Sequence, residues 1–201
     1  MAKIFELPAR SGNDIVLLAE IAGGSEAALA EFYRRYHARI YSFVVRRVHN
    51  AADAADVLNE VMLEVWRHAE SFQGRSQALT WILGIAHHKS VDCLRRRSPH
   101  LELEEGVEDN LEDERDGVPE ILMQQQDAAI MRYCIEKLSD SHRTVVHLAF
   151  FQELSYTEIA KIIACPEGTV KTRMYHAKQK LKDCLLRASA AWPQSSNEPC
   201  T

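Results

Sequence analysis

Hydroxyl and cationic side chains follow one another at helical spacing near the C-terminal end of the chain. Between Thr169 and Arg187 there are six Lys or Arg residues and one acid, a formal charge of +5. An apolar stripe occupies one side of this segment, namely Val170, Met174, Ala177 and Leu181. The polar groups must therefore lie on the other side, and they are Thr169, Lys171, Thr172, Arg173 and His176. Such groups can bind phosphates and base edges, which indicates a DNA-binding helix. A basic face that is merely solvated is the alternative.

The residues just before this segment predict how the basic helix is positioned. Ser155 and Glu158 form a Ser-x-x-Glu capping box, in which each side chain satisfies a free backbone N–H at the start of a helix. Pro166 and Gly168 end that short helix before the basic helix begins. A short capped helix, a turn and a cationic second helix are the parts of a helix-turn-helix, whose second helix enters the major groove.

A second candidate surface is acidic. Within a predicted helix from about Asp53 to Ser71, four carboxylates recur at spacings of three, four and four residues. We name them the acidic stripe: Asp53, Asp56, Glu60 and Glu64. Like charges at this spacing destabilise a helix slightly. The stripe is therefore either an ordinary solvated face or the docking surface of a cationic partner.

A predicted helix from about Ser76 to Arg97 carries an aromatic ring and several bases outside its apolar side. These are Trp81, His87, His88, Lys89, Arg95, Arg96 and Arg97. Stacking and phosphate contacts of this kind suit single-stranded nucleic acid. A core tryptophan and an Arg run that complements the helix dipole are the alternatives. Adjacent helical residues point to different faces, so His87 and His88 do not predict a metal site, and no cofactor is predicted.

Charge is segregated along the chain, whose net charge is −5. Residues 98–127 hold eleven acids and one base, a net −10, so the rest of the chain carries +5. This segment has few apolar residues and no sustained period, which predicts a flexible linker. We therefore predict an all-α protein of two small helical domains, the second containing the helix-turn-helix. The predicted boundaries are 13–97 and 127–187 for the domains, 98–126 for the acidic linker and 188–201 for a disordered tail.

Five scattered cysteines without a C-x-x-C pair fit a reducing compartment better than a disulfide framework or a zinc site. They are Cys93, Cys134, Cys165, Cys184 and Cys200. Neither a signal peptide nor an apolar run long enough to span a bilayer is evident, so a cytoplasmic location is expected. No nucleophile–base pair and no Gly-rich phosphate loop are found either, and the chain is not expected to be an enzyme.

Together these blocks resemble the bacterial RNA polymerase sigma factors of the extracytoplasmic-function (ECF) group. The C-terminal resemblance lies in LSYTEIAKIIACPEGTVKTRMYHAKQKLK. The N-terminal resemblance lies in DAADVLNEVMLEVWRHAESF and TWILGIAHHKSVDCLRRR. It covers about residues 13–97 and 127–187. Two separate blocks in this order are more specific than a helix-turn-helix alone.

The resemblance implies a protein that binds core RNA polymerase and directs promoter-specific transcription initiation. It implies that the acidic stripe binds the coiled coil of the largest polymerase subunit. The turn at 72–78 and the basic helix after it would hold the melted −10 element, through the seven side chains named above. The helix-turn-helix would read the −35 element through the five polar side chains of its second helix. The acidic linker would thread the cationic cleft of the polymerase, and an anti-sigma factor would control the protein.

The sequence departs from the pattern in two respects. His88 stands where members of the group commonly have Asn, which bears on base preference at −10. Gly84 and Ile85 stand where housekeeping sigma factors carry a pair of tryptophans that wedge the duplex open, so we expect less robust and more promoter-selective melting. The alternative function is a stand-alone helix-turn-helix regulator that binds duplex DNA without polymerase. Such a regulator would need a ligand pocket, a phosphoacceptor or a dimer seam, and the sequence indicates none.

Overall fold

The computed structural model describes residues 11–97 and 125–191. Within these two ranges the chain forms eight α-helices and no strand, which agrees with the predicted all-α class. The N-terminal lobe consists of α1 (Ser11–Ala22), α2 (Glu26–Val48), α3 (Ala51–His68) and α4 (Ala78–Arg97). The C-terminal lobe consists of α5 (Gln125–Glu136), α6 (Asp140–Val146), α7 (Tyr156–Ile162) and α8 (Glu167–Ala191). Nearly all of the predicted linker at 98–126 and most of the predicted tail lie outside the described residues.

Local capping signals begin the long helices of the N-terminal lobe. The Ser25 side chain accepts a hydrogen bond from the Ala28 N–H at the start of α2. The Asn50 side chain does the same for the Asp53 N–H at the start of α3. Both are residue types that favour this position, because their oxygens satisfy otherwise free backbone donors. Between them, α2, α3 and α4 enclose an apolar core that includes Phe32, Ile40, Val57, Ile82 and Leu83.

A carboxylate fastens α1 to α2. Asp14 accepts hydrogen bonds from the Arg35 guanidinium and from the Tyr36 hydroxyl, the latter at 2.6 Å. Burial raises the pKa of Tyr36, and the hydrogen bond to Asp14 raises it further. The phenol therefore stays protonated and keeps donating. Helix α1 also packs beside the 3₁₀ turn Ala69–Ser71 that follows α3.

The C-terminal lobe contains the predicted helix-turn-helix in α7 and α8. The capping box is present: the Ser155 hydroxyl accepts from the Glu158 N–H, and the Glu158 carboxylate accepts from the Ser155 N–H. Before it, α6 passes into a π-helical turn, His147–Phe151. The second helix, α8, continues to Ala191, four residues beyond the predicted domain end at 187. None of the helices within 11–97 and 125–191 combines the length and the apolar character that a bilayer crossing requires.

The expectation of unpaired cysteines is wrong for two of the five. Cys134 of α5 and Cys184 of α8 form a disulfide, with their Cα atoms 5.7 Å apart. They are separated by 50 residues in sequence, so only the packing of α5 against α8 brings them together. Cys93 is a buried free thiol and Cys165 a half-buried one. Burial raises the pKa of Cys165, which keeps it in the thiol form. Cys200 lies outside the described residues.

Candidate functional site

The five predicted DNA-contacting side chains lie along the first ten residues of α8 and differ in exposure. Thr172 is buried, with only 3% of its surface exposed, and its hydroxyl donates to the Gly168 carbonyl at 3.1 Å. Lys171 forms an ion pair with Glu167 at 3.4 Å. The other three, Thr169, Arg173 and His176, are half-buried. The structure thus brings the predicted set together on one helix, with Thr172 hidden at its centre.

Tyr175 was absent from the predicted set, yet it is exposed on the same helix. Its side chain is 43% exposed, and its ring lies 5.4 Å from the ring of His176 in an edge-on arrangement. Four residues separate it from Lys171 and three from Thr172, so helical spacing places the three side chains next to one another. This helical spacing could have identified Tyr175 from the sequence. The predicted set omitted it because its ring carries no charge.

Three of the four carboxylates of the acidic stripe are ion-paired with cations of α4. The pairs are Asp53–Arg97 at 2.6 Å, Glu60–Arg96 at 3.3 Å and Glu64–Lys89 at 3.0 Å. The fourth carboxylate, that of Asp56, is exposed. The acids predicted to bind polymerase and three of the bases predicted to bind DNA therefore face each other across two packed helices.

These ion pairs neutralise charge on the surface but are weak enough to be exchanged. All three lie at solvent-accessible positions, where ion pairs contribute little to stability and are screened by salt. The hydrogen bond from Lys89 lowers the pKa of Glu64, so this carboxylate is charged at neutral pH. Each partner can consequently exchange its present counter-charge for one on another molecule.

The remaining predicted side chains of α4 fall into different environments. Trp81 packs on the edge of the core, and its ring centroid lies 5.4 Å from that of Phe72. The Nδ1 atom of His87 is shielded from solvent and has no hydrogen-bond partner among the described residues. His88 and Arg95 are exposed. The structure does not bring these four into one surface, because the first two point inwards and the last two outwards.

The loop at 72–77 is shaped by Gly74 and supported by α1. Gly74 has a φ of +66°, a conformation that glycine adopts without the steric cost that a side chain incurs. A Cβ at this position would lie 3.7 Å from Cδ1 of Ile15. The predicted −10 turn therefore rests against the first helix.

The helix-turn-helix contacts the N-terminal lobe through its own capping residue. The Thr80 hydroxyl of α4 donates to the Glu158 carboxylate at 3.1 Å. Burial acts to raise the pKa of Glu158, but hydrogen bonds from Ser155 and Thr80 outweigh it and lower the pKa. The carboxylate is therefore ionised while it serves both the cap of α7 and the contact with α4.

Two family models match the chain in the order of its lobes. The model of sigma-70 region 2 matches residues 32–99, and the model of sigma-70 region 4 matches residues 128–181. The ECF RNA polymerase sigma factor SigK of Mycobacterium tuberculosis is 31% identical over 182 residues, which span 89% of this chain and 97% of that protein. The RNA polymerase sigma factor YlaC of Bacillus subtilis is 31% identical over 162 residues, spanning 80% and 94%.

Solved structures share the fold. CnrH, in complex with the cytosolic domain of CnrY, matches with a TM-score of 0.62 at 19% identity, over 87% of this chain and 97% of that chain. The sigma factor RpoE from Bartonella quintana, in complex with the anti-sigma factor NepR, matches with a TM-score of 0.58 at 21% identity, over 78% and 97%. At these identities the likeness establishes the fold.

Two helical lobes, one matching region 2 and one matching region 4 with its helix-turn-helix, define a bacterial sigma factor. Within that class, the chain belongs to the ECF family of RNA polymerase sigma factors. Sigma factors bind core RNA polymerase and promoter DNA, and they act as initiation factors without enzymatic activity of their own. The presence of both regions favours this function over that of a stand-alone regulator.

Proposed function

We propose that this sigma factor positions core polymerase at promoters through three surfaces on domains bounded at 13–97 and 127–187. The acidic stripe binds the coiled coil of the largest polymerase subunit. The loop at 72–77 and the cationic side of α4 hold the melted −10 element. The exposed side of α8 reads the −35 element in duplex DNA. The observation that supports this most directly is the match of regions 2 and 4, in order, to the lobes that carry these surfaces.

Polymerase binding and −10 binding are connected in this proposal by the ion pairs between α3 and α4. A cationic coiled coil that binds Asp53, Glu60 and Glu64 replaces the α4 cations as their counter-charges. Lys89, Arg96 and Arg97 then become available for DNA phosphates, which supply most of the salt-dependent affinity of nucleic-acid binding. The free protein thus keeps these three cations occupied, and the polymerase releases them.

At the −35 element the proposed contacts come from α8. Lys171 fixes position through phosphates, whereas Arg173 and Thr169 reach base edges in the major groove. Tyr175 joins this set, because its exposed ring can make an apolar contact with a thymine methyl group. His176, which is half-buried, and Thr172, which is buried, complete the proposed set.

Control by an anti-sigma factor and a cytoplasmic location complete the proposal. Among solved relatives, RpoE is bound to the anti-sigma factor NepR, and the match covers most of both chains. A protein partner that covers the acidic stripe or α8 would block the surfaces needed for polymerase and promoter.

A charge reversal tests the polymerase surface. The double variant Asp56→Lys/Glu60→Lys places two cations where a cationic coiled coil must dock, so pull-down with purified core polymerase should lose the complex. The matched control is Glu136→Lys, at an exposed position on α5 in the C-terminal lobe. Circular dichroism should show unchanged helicity for all variants. Assembly of the double variant with core polymerase at wild-type affinity would contradict the assignment.

A further inference from the structure

Helix α1 carries two neighbouring apolar residues that its packing leaves exposed. The residues of its buried side, which lie in the core of the N-terminal lobe, are Leu17, Leu18 and Ile21. Ile15 and Val16, by contrast, are 51% and 54% exposed. The helix precedes residues 32–99, which the region 2 model matches, so that match does not assign it a role. The two exposed residues differ in what lies beside them.

Ile15 lies beside the loop at 72–77, which is proposed to hold the −10 element. A Cβ at Gly74 would lie 3.7 Å from Cδ1 of Ile15. Among the described residues other than the two chain neighbours of Gly74, no second atom comes within 4 Å of that position. Gly74 is also the residue of this loop with a left-handed backbone, at a φ of +66°. Ile15 therefore supports the loop at its turning point.

The two ends of the loop are held by other contacts. At its start the Phe72 N–H donates to the Ala69 carbonyl at 3.1 Å, and the Phe72 ring packs against Trp81. At its end Ala78 is buried where α4 begins. The exposed side chains between these ends are Gln73, Arg75 and Gln77. Because both ends are held, the direction in which these side chains point depends on what supports the middle of the loop.

The position of Ile15 depends in turn on how α1 is held on α2. The preceding residue, Asp14, accepts hydrogen bonds from the Arg35 guanidinium at 2.5 Å and from the Tyr36 hydroxyl at 2.6 Å. The Asp14 side chain is only 13% exposed. Hydrogen bonds to a charged and largely buried group are stronger than neutral ones and costly to lose. Since Asp14 and Ile15 are adjacent in α1, this anchor restricts where Ile15 can lie.

We propose that Ile15 is a positioning residue for recognition of the −10 element: it supports the loop at 72–77 from α1, which Asp14 anchors to α2. The inference rests on the proposed function for the role of the loop. Ile15 itself does not contact DNA. It keeps the loop in the path that presents the exposed side chains to unpaired bases, so both affinity and base preference at −10 depend on it.

The variant Ile15→Ala removes the support and leaves the sequence of the loop intact. Its holoenzyme, formed from core polymerase and the full-length chain, should bind a premelted promoter roughly fivefold or more weakly, the lower limit for losing one stacked base. It should also discriminate less among templates with single-base changes in the −10 element. Discrimination among −35 changes and affinity for core polymerase should stay at wild-type values. The promoter is first mapped from transcripts made by wild-type holoenzyme.

Val16→Ala is the matched control, since Val16 is a similarly exposed neighbour that points about 100° away from Ile15 around α1. It should leave affinity and preference at −10 unchanged. Gly74→Ala is a second reference, because alanine rarely adopts a φ of +66° and the change disturbs the loop itself. If Ile15 acts through the loop, Ile15→Ala should cost less affinity in the Gly74→Ala protein than in the wild type.

Tyr36→Phe tests the anchor. It removes the hydroxyl that donates to Asp14 and keeps the buried ring, so it should weaken binding to the premelted promoter as selectively as Ile15→Ala does. Tyr33→Phe is its control, because Tyr33 lies on the same helix and is 39% exposed. Thermal melts followed by circular dichroism establish that the variants are folded at the assay temperature. Wild-type −10 binding by folded Tyr36→Phe would overturn the anchoring role of Asp14.

The outcomes separate this inference from the proposed function. A selective loss at −10 in Ile15→Ala that is absent from Val16→Ala supports the inference. Wild-type −10 binding by Ile15→Ala, or an equal loss in Val16→Ala, would overturn it. If Gly74→Ala still weakened −10 binding in that case, the role of the loop would stand. If Gly74→Ala changed nothing either, the loop would not hold the −10 element, and the inference would be wrong with it.

Discussion

Two largely buried histidines, His147 and His87, have ring nitrogens that lack a hydrogen-bond partner among the described residues. Within the described part of the chain, neither ring nitrogen of His147 has a partner. Its ring stacks on that of Phe151 at 5.1 Å and lies 5.7 Å from that of Phe43. Burial lowers the pKa of His147 to about 4, and the charge of Arg46 adds to the shift. Burial lowers the pKa of His87 to about 3, with the charges of nearby arginines and His88 adding.

Both residues make stability fall at acidic pH. Above about pH 6.5 each histidine is neutral in the folded and unfolded states, so neither changes the free energy of unfolding. Below it the unfolded chain binds protons that the folded protein does not, so the free energy of unfolding decreases as pH falls towards 4. The slope should approach about 1.4 kcal/mol per pH unit for each histidine. Urea titrations at pH 8, 6, 5 and 4 measure it.

The variant His147→Phe isolates the contribution of His147 to the pH dependence of the free energy of unfolding. Phenylalanine keeps an aromatic ring between Phe43 and Phe151 but cannot titrate, so it should reduce the slope below pH 6.5. At pH 8, where the histidine is neutral in both states, the same variant should be at least as stable as the wild type. An unchanged slope in His147→Phe would show that this residue is not the source of the acid sensitivity.

At the scale of elements, the sequence predicts contacts between residues that are close along the chain. It does not predict contacts that form only when helices pack together. The caps at Ser25 and Ser155 were predictable because donor and acceptor lie within three residues. The counter-charges of the acidic stripe were not, since the sequence of α3 itself offers few cations nearby. They come from α4, some 25 to 44 residues away. The same limit explains the missed disulfide, which no spacing rule for neighbouring cysteines can identify.

The disulfide fastens α5 to the C-terminal half of α8 and should stabilise the C-terminal lobe. Closing a loop of 50 residues restricts the unfolded chain. In the chain-entropy model this raises the free energy of unfolding by about 4 kcal/mol. Dithiothreitol should therefore lower the free energy of unfolding of the wild type by up to this amount. The double variant Cys134→Ala/Cys184→Ala should melt at the same temperature with and without reductant.

Cys165→Ala is the control for this experiment, because its thiol is free and half-buried. It should respond to dithiothreitol as the wild type does. Identical denaturation curves of oxidised and reduced wild-type protein would mean that the disulfide adds nothing to stability.

At the scale of the whole molecule, the arrangement of the two lobes could not be predicted from the sequence. Periodicity predicts which side of each helix is apolar, and this was enough to predict a core for each lobe. It does not reveal that Arg39, Arg47 and Thr80, polar residues of the N-terminal lobe, have their partners in the C-terminal lobe. A buried arginine on a helix of one domain is recognisable as an interdomain contact only when the second domain is in place.

We expect Gly84 to weaken promoter melting by the complete initiation complex. By the resemblance to sigma factors, Gly84 and Ile85 stand where housekeeping members carry a pair of tryptophans, and a wedge side chain promotes unstacking of the duplex. The wild type should therefore transcribe a premelted promoter better than the same promoter as a duplex. In α4, a Cβ added to Gly84 meets no atom within 4 Å among the described residues, so the first atom of a side chain fits at this position.

Gly84→Trp should consequently raise abortive transcription from the duplex template relative to the premelted one. Stacking of an aromatic ring on a base is worth about 1–3 kcal/mol, and the lower part of this range corresponds to roughly a tenfold change in that ratio. Gly84→Ala is the control, since it improves helix propensity by about 1 kcal/mol without adding a ring, and it should leave the ratio unchanged. If wild-type holoenzyme already transcribes duplex and premelted templates equally, Gly84 causes no melting deficit. A tryptophan at this position would then have nothing to restore.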